Sequence, residues 1–151
     1  MAEVKSQIED YLSLMKMKYT WDEKAGAFQL LFTERKDARP VSPSDMEQKD
    51  TFRYVVTVKP FGKWVQIRAD VYPLEMIPQE KLAQVLMDLL TANLKYPEVC
   101  FDLDQERGII GTSQEMMTQG LNFDGFREEF FAVPWAVKRF WAEIAPKHGL
   151  S

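Results

Sequence analysis

The chain has 151 residues, of which 46% are hydrophobic and 13% aromatic, with a formal net charge of −4 and one cysteine. A chain of this length suits a single domain spanning residues 1–151 that buries roughly 70% of its unfolded surface, and its composition excludes disorder. The acidic balance, the absence of any basic run longer than two residues, the polar opening MAEVKSQIED and the lone Cys100 argue against nucleic-acid binding, a signal peptide and a disulfide framework.

Residues 2–16 place Val4, Ile8, Tyr11, Leu12 and Met15 at helical spacing, which predicts an amphipathic helix. A turn at Asp22–Gly26 leads into Ala27–Thr33, where Phe28, Leu30 and Phe32 share one side of a strand. Residues 34–50, with Pro40 and Pro43 and many charges, read as a long exposed loop holding one helical turn with a Ser44/Glu47 capping box. Thr51–Lys59 and Lys63–Val71 then alternate cleanly. Phe52, Tyr54, Val56 and Val58 face inward on the first strand, and Val65, Ile67, Ala69 and Val71 on the second, with Pro60-Phe61-Gly62 as the turn.

After Pro73 and Pro78, residues 79–95 predict a helix whose apolar arc (Leu82, Val85, Leu86, Leu89, Leu90, Leu94) is wider than one sheet face requires. Val99–Asp104, with Val99, Phe101 and Leu103 inward, and Ile109–Gln114 form a second hairpin around Gln105–Gly108. A last helix is capped by Asn122 or Asp124 and carries the core stripe Phe126, Phe130, Val133, Val137, Phe140 and Ile144, with Pro134 expected to kink or split it. The order is α-β-β-β-α-β-β-α. It predicts an α+β fold, a five-stranded antiparallel sheet with helices on one face.

No catalytic, cofactor or metal constellation emerges. His148, three residues from the end, is expected to fray with the terminus. Asp102 and Asp104, two and four residues beyond Cys100, would raise its thiol pKa, the wrong direction for a nucleophile. The stretch from Asp102 to Gly108 resembles the start of a calcium loop, but its glycine falls at position seven and Ser113 stands where a bidentate glutamate belongs. Glycines are scattered and form no phosphate-binding loop.

What remains is surplus apolar surface. Phe131 and Trp135 lie off the main stripe of the last helix, and Trp64, Leu31 and Val55 interrupt otherwise polar strand faces. Leu82, Val85 and Leu89 are the expected self-association flank, and Trp64, Phe131 and Trp135 the expected partner contacts. The element order, with the segment YPEVCFDLDQERGIIG at residues 96–111, resembles the YbjN-like proteins and the class I type III secretion chaperones. The matching residues are Phe101, Leu103 and Asp104 on a strand and Gly108 in the turn. That resemblance implies a small, acidic homodimer without an active site, commonly paired through its middle helix and binding an extended segment of another protein, while the polar N-terminus and lone cysteine read as cytoplasmic. The expected function is therefore a non-enzymatic polypeptide-binding module with no membrane or nucleic-acid partner. The competing expectation is an apolar-ligand binder or enzyme with a pocket between the last helix and the sheet.

Overall fold

Helical spacing at the chain start and strict alternation thereafter sort the polypeptide into two layers, seen in a computed structural model that describes residues 2–37, 40–42 and 51–151. The expected Ser44/Glu47 turn lies outside these residues. The first helix, α1 (Ala2–Leu14), precedes strands β1 (Thr20–Asp22), β2 (Ala27–Arg35), β3 (Thr51–Phe61) and β4 (Trp64–Pro73). Two short 3-10 turns, Leu74–Met76 and Gln79–Lys81, lead into α2 (Leu82–Lys95). Strands β5 (Phe101–Asp104) and β6 (Ile109–Met117), helix α3 (Phe123–Arg139), a π turn at Phe140–Ile144 and the short α4 (Ala145–Lys147) complete the chain.

The sheet is antiparallel throughout, in the order β1-β2-β3-β4-β6-β5. It has six strands, where the sequence pattern yields five. The extra strand, β1, pairs Thr20–Asp22 with Ala27–Gln29 around a turn closed by Gly26, at φ +63°. Three residues show no readable alternation, so only its turn was visible beforehand. Strand β2 continues to Arg35, which places Glu34 and Arg35 in buried strand positions instead of the loop expected there. Strand β3 likewise runs through Pro60 to Phe61, and the tight turn is Gly62-Lys63, with Gly62 at φ +53°. In β4 a bulge at Val71 reverses the alternation, so Tyr72, not Val71, opposes Ile110 on the core face. Leu103, expected inward, is exposed near the end of edge strand β5.

All three long helices cover the same sheet face. Ile8 and Leu12 of α1 and Phe126, Phe130, Val133 and Val137 of α3 pack on Phe28, Leu30, Val56, Val58, Val65 and Ile67. Val85, Leu89 and Ala92 of α2 pack with Phe101, Ile110, Ala136, Phe140 and Ile144 in a second cluster. The α3 stripe thus belongs to both clusters, and its six predicted members are all buried. Asn122 caps this helix, its Oδ1 accepting from the Gly125 N–H at 2.9 Å.

Pro134 does not split the helix. It is buried within a continuous Phe123–Arg139 segment, even though its missing N–H removes one backbone bond of the spiral. The regular α spiral gives way further on, where the π turn at Phe140–Ile144 precedes Pro146. Pro146 has no N–H to offer the carbonyl four residues back, and a wider turn relieves the ring clash there.

Among the described residues no helix is long and apolar enough to cross a membrane. Phe130→Ala should lower unfolding free energy by about 3–5 kcal/mol in a denaturant titration, as expected for a fully buried aromatic. Leu14→Ala, at an exposed position, should change it by about 0.5 kcal/mol or less.

Candidate interaction surfaces

Helix α2 carries two apolar stripes on opposite sides. Leu82, Val85 and Leu89, expected to meet a second copy, turn toward the sheet: Val85 and Leu89 are buried inside the chain and Leu82 packs against the same cluster. The outward stripe is instead Ala83, Met87, Leu90 and Leu94, spaced i, i+4, i+7, i+11, with Leu90 69% and Leu94 89% exposed. The surplus width of the arc was legible, but periodicity marks two flanks without saying which one meets the sheet.

A second surface lies along the outer edge of β2. Strand β1 pairs with residues 27–29 alone, so among the described residues no strand pairs with positions 30–34 on that side. Leu31, 65% exposed, stands opposite Val55 on the outer sheet face. Both border an open depression of about 280 Å³ that also involves Lys18 and Tyr19.

The three expected partner contacts do not converge. Trp64 sits on the outer sheet face opposite Met117, next to the exposed Phe61, with the Lys63 Nζ 5.4 Å from its ring centre. Phe131 and Trp135, each 40% exposed, lie on α3, in the helix layer that covers the other sheet face. Tyr96 meets the Trp135 ring edge-on at 5.4 Å, and the Arg139 guanidinium lies 5.3 Å from its centre.

The outer sheet face also carries a charged network. Arg68 binds Asp102 through two nitrogens, at 2.7 and 3.1 Å, and reaches Asp70. Arg107 spans Asp70 and Asp104. Gly111 makes room for this: a Cβ there would lie 2.2 Å from an Arg68 nitrogen and 2.9 Å from the Ala69 carbonyl oxygen. Burial works against the charge on Asp70, but hydrogen bonds from Arg107 and Arg68 hold its carboxyl below the usual range. Hydrogen bonds from the side chain and backbone of Arg107 do the same for Asp104. The carboxylates that hinted at a calcium loop thus have arginine partners, and the Gln105–Gly108 segment is a hairpin turn. Burial and the Asp102 charge push the Cys100 thiol upward. An open concavity of about 950 Å³ lies over this network. The layer between α3 and the sheet, where a ligand pocket was the competing expectation, is filled by Phe126, Phe130, Val133 and Val137.

The C-terminus is tied down, not frayed. His148 is buried, its Nε2 2.6 Å from Asp88 Oδ2, and Lys81 Nζ donates to its carbonyl oxygen at 2.7 Å. Burial opposes ionisation of Asp88, but hydrogen bonds from His148, Lys147 and Gln84 keep its carboxyl low. Another group that local pattern could not reveal is Glu34, buried beneath α3. It accepts from the Tyr54 hydroxyl at 3.4 Å and pairs with Lys138. Burial first, then this carboxylate, pushes the Tyr54 hydroxyl pKa upward.

No family model and no curated protein matches the chain. Solved structures do. A chain in the crystal structure of the ExsC–ExsE complex superposes with TM-score 0.62 at 12% identity, covering 95% of this chain and 94% of that one. YbjN, described as a putative transcription regulator from E. coli, gives TM-score 0.62 at 13% identity, covering 96% and 92%. The HopA1–SchA chaperone–effector complex gives TM-score 0.55 at 16% identity, covering 92% of each chain. The fold is the type III secretion chaperone-like fold.

Within that fold, the charged outer face of the sheet has a direct bearing on stability. Gly111→Ala should destabilise the chaperone-like fold by about 1–3 kcal/mol in thermal or denaturant unfolding, because the Ala69 carbonyl cannot swing aside. Asp70, Asp88 and Asp104 have folded-state values below their unfolded ones. Their contribution is therefore present above about pH 4 and is lost as pH falls through the folded values. Unfolding free energy should stay nearly level from about pH 7 to 5 and drop below about pH 4, with a shallower drop in Arg107→Ala.

Proposed function

We propose that this protein is a non-enzymatic, chaperone-like module that pairs with a second copy through α2 and holds an extended segment of another protein at the edge of β2. The observation that carries it is the pair of uncovered surfaces, one purely apolar helix stripe and one strand edge without a neighbour among the described residues. Two of the structures sharing the fold are complexes with a second protein, ExsE in one and HopA1 in the other, which supports the same use of it here.

The α2 stripe suits self-pairing on physical grounds. Ala83, Met87, Leu90 and Leu94 extend along a helix of about 21 Å, and an antiparallel copy would place the small Ala83 opposite Leu94 and the two central residues against each other. A closed two-fold pairing of this kind buries the same patch on both partners. The β2 edge suits a different occupant. An added strand would satisfy backbone groups along residues 30–34, while Leu31 and Val55 would grip alternate side chains. An apolar small molecule fits less well, since the concavity over the charged network is open and lined mostly by polar and charged side chains.

Sedimentation equilibrium at high micromolar concentration should show a dimer for the wild-type chain. Leu90→Glu/Leu94→Glu should weaken it by two orders of magnitude or more, at about 1.4 kcal/mol per tenfold, while the fold is retained. A wild-type monomer under those conditions contradicts the α2 pairing. Affinity capture followed by mass spectrometry should recover a protein partner with the wild-type chain and lose it with Leu31→Lys/Val55→Lys. Equal recovery by both would remove the β2 edge from the account.

A further inference from the structure

Helix α3 has an outward stripe with the same spacing as α2 but different chemistry. Asp124, Glu128, Phe131 and Trp135 stand at i, i+4, i+7 and i+11, all exposed. One half of the stripe is acidic and the other aromatic. The helix dipole accounts for a carboxylate in the first turn, which is Asp124. It does not account for Glu128, nor for the two carboxylates beside it.

Glu98 and Glu129 deepen the negative charge. Glu98 adopts φ +68°, and its carboxyl stands beside that of Glu129. Burial, then the charge and hydrogen bond of Glu98, then the charge of Glu128, raise the Glu129 carboxyl above its ordinary range. Among the described residues no lysine or arginine pairs with Glu98, Glu128 or Glu129, whereas the carboxylates of the outer sheet face have arginine partners. The Arg139 guanidinium already lies against Trp135 and is paired with Glu143, so the open complement is cationic at the carboxylate half of the face and apolar at Phe131 and Trp135.

We propose that this face of α3 docks a basic amphipathic helix of a partner protein, with apolar residues seated on Phe131 and Trp135 and lysine or arginine reaching Glu98, Glu128 and Glu129. The heptad spacing argues for a helical occupant, because knobs at i, i+4, i+7 and i+11 follow the groove of a facing helix. The charge argues for its sign. A second copy is a poor occupant: parallel pairing sets carboxylates against carboxylates, and antiparallel pairing sets them against aromatic rings. Anionic lipid and nucleic acid would be repelled by the same groups. This surface is separate from the β2 edge and the α2 stripe, so the protein would engage two different polypeptides at once.

The test uses a fluorescent 18-residue peptide of leucine and lysine in helical register, and its leucine–glutamate counterpart. On the isotope-labelled full chain, the cationic peptide should perturb backbone amides of residues 124–135 and Glu98, and the acidic peptide should perturb none of them. Glu98→Gln/Glu129→Gln should weaken cationic binding about tenfold and flatten its salt dependence, since charge neutralisation removes the complementary field. These exchanges also relieve like-charge repulsion, so the melting temperature should hold or rise. Phe131→Ala/Trp135→Ala should weaken binding by about tenfold or more. Leu31→Lys/Val55→Lys and Leu90→Glu/Leu94→Glu should leave it intact, which separates failure here from failure of the proposed function. Overturning results are equal affinity for both peptides, perturbations centred elsewhere, cationic affinity unchanged by the two glutamine exchanges, or loss of self-association in Trp135→Ala.

Discussion

One apolar stripe organises this molecule. Phe126, Phe130, Val133 and Val137 anchor one buried cluster and Phe140 and Ile144 the other, so the stripe along α3 and its π extension runs through both. Burial of large aromatic side chains is the strongest available local stabilisation, and here it is concentrated on one helix lying across the sheet. The rest follows from that placement. Helix α1 packs with α3 against β2 and β3, and α2 packs with the far end of α3 against β5 and β6, so the outward stripe of α2 is left uncovered.

The outward faces therefore hold the information about use. The exposed stripe on α2 is aliphatic and uncharged, the one on α3 is half acidic and half aromatic, and the β2 edge offers backbone groups beside Leu31 and Val55. Exposed apolar surface of this extent is a cost in isolation and is usually covered by a partner. The charged end of the outer sheet face, over β4, β5 and β6, contrasts with these. Its arginines and aspartates satisfy one another, with Gly111 leaving space for the Arg68 guanidinium, so it behaves as a finished surface.

Much of the fold was legible because the decisive signals are local. The 3.6-residue spacing of the α3 stripe and the two-residue alternation of β3 and β4 each persist long enough to outweigh individual exceptions. What escaped was short or long-range. Strand β1 has too few residues to show a period, and the bulge at Val71 inverts a face through one unpaired residue. The side of α2 that meets the sheet depends on where α3 lies, and the seating of His148 depends on Asp88, 60 residues away in the chain. The expected split at Pro134 did not occur either, since the helix runs unbroken through this buried proline. The candidate surfaces were partly visible as surplus apolar residues, with Leu31, Val55, Phe131 and Trp135 all apparent. Their grouping into three separate faces was not, because that grouping is a property of the packed molecule.

The most direct test is hydrogen–deuterium exchange on the chain alone and on its affinity-captured complex. The account predicts that the edge-facing amides among residues 30–34, those not bonded to β3 and therefore fast in the isolated chain, become slow in the complex while those of the Arg68–Asp102 region stay unchanged. Protection gained over Arg68, Asp102 and Arg107, with those edge-facing amides still exchanging freely, would contradict it.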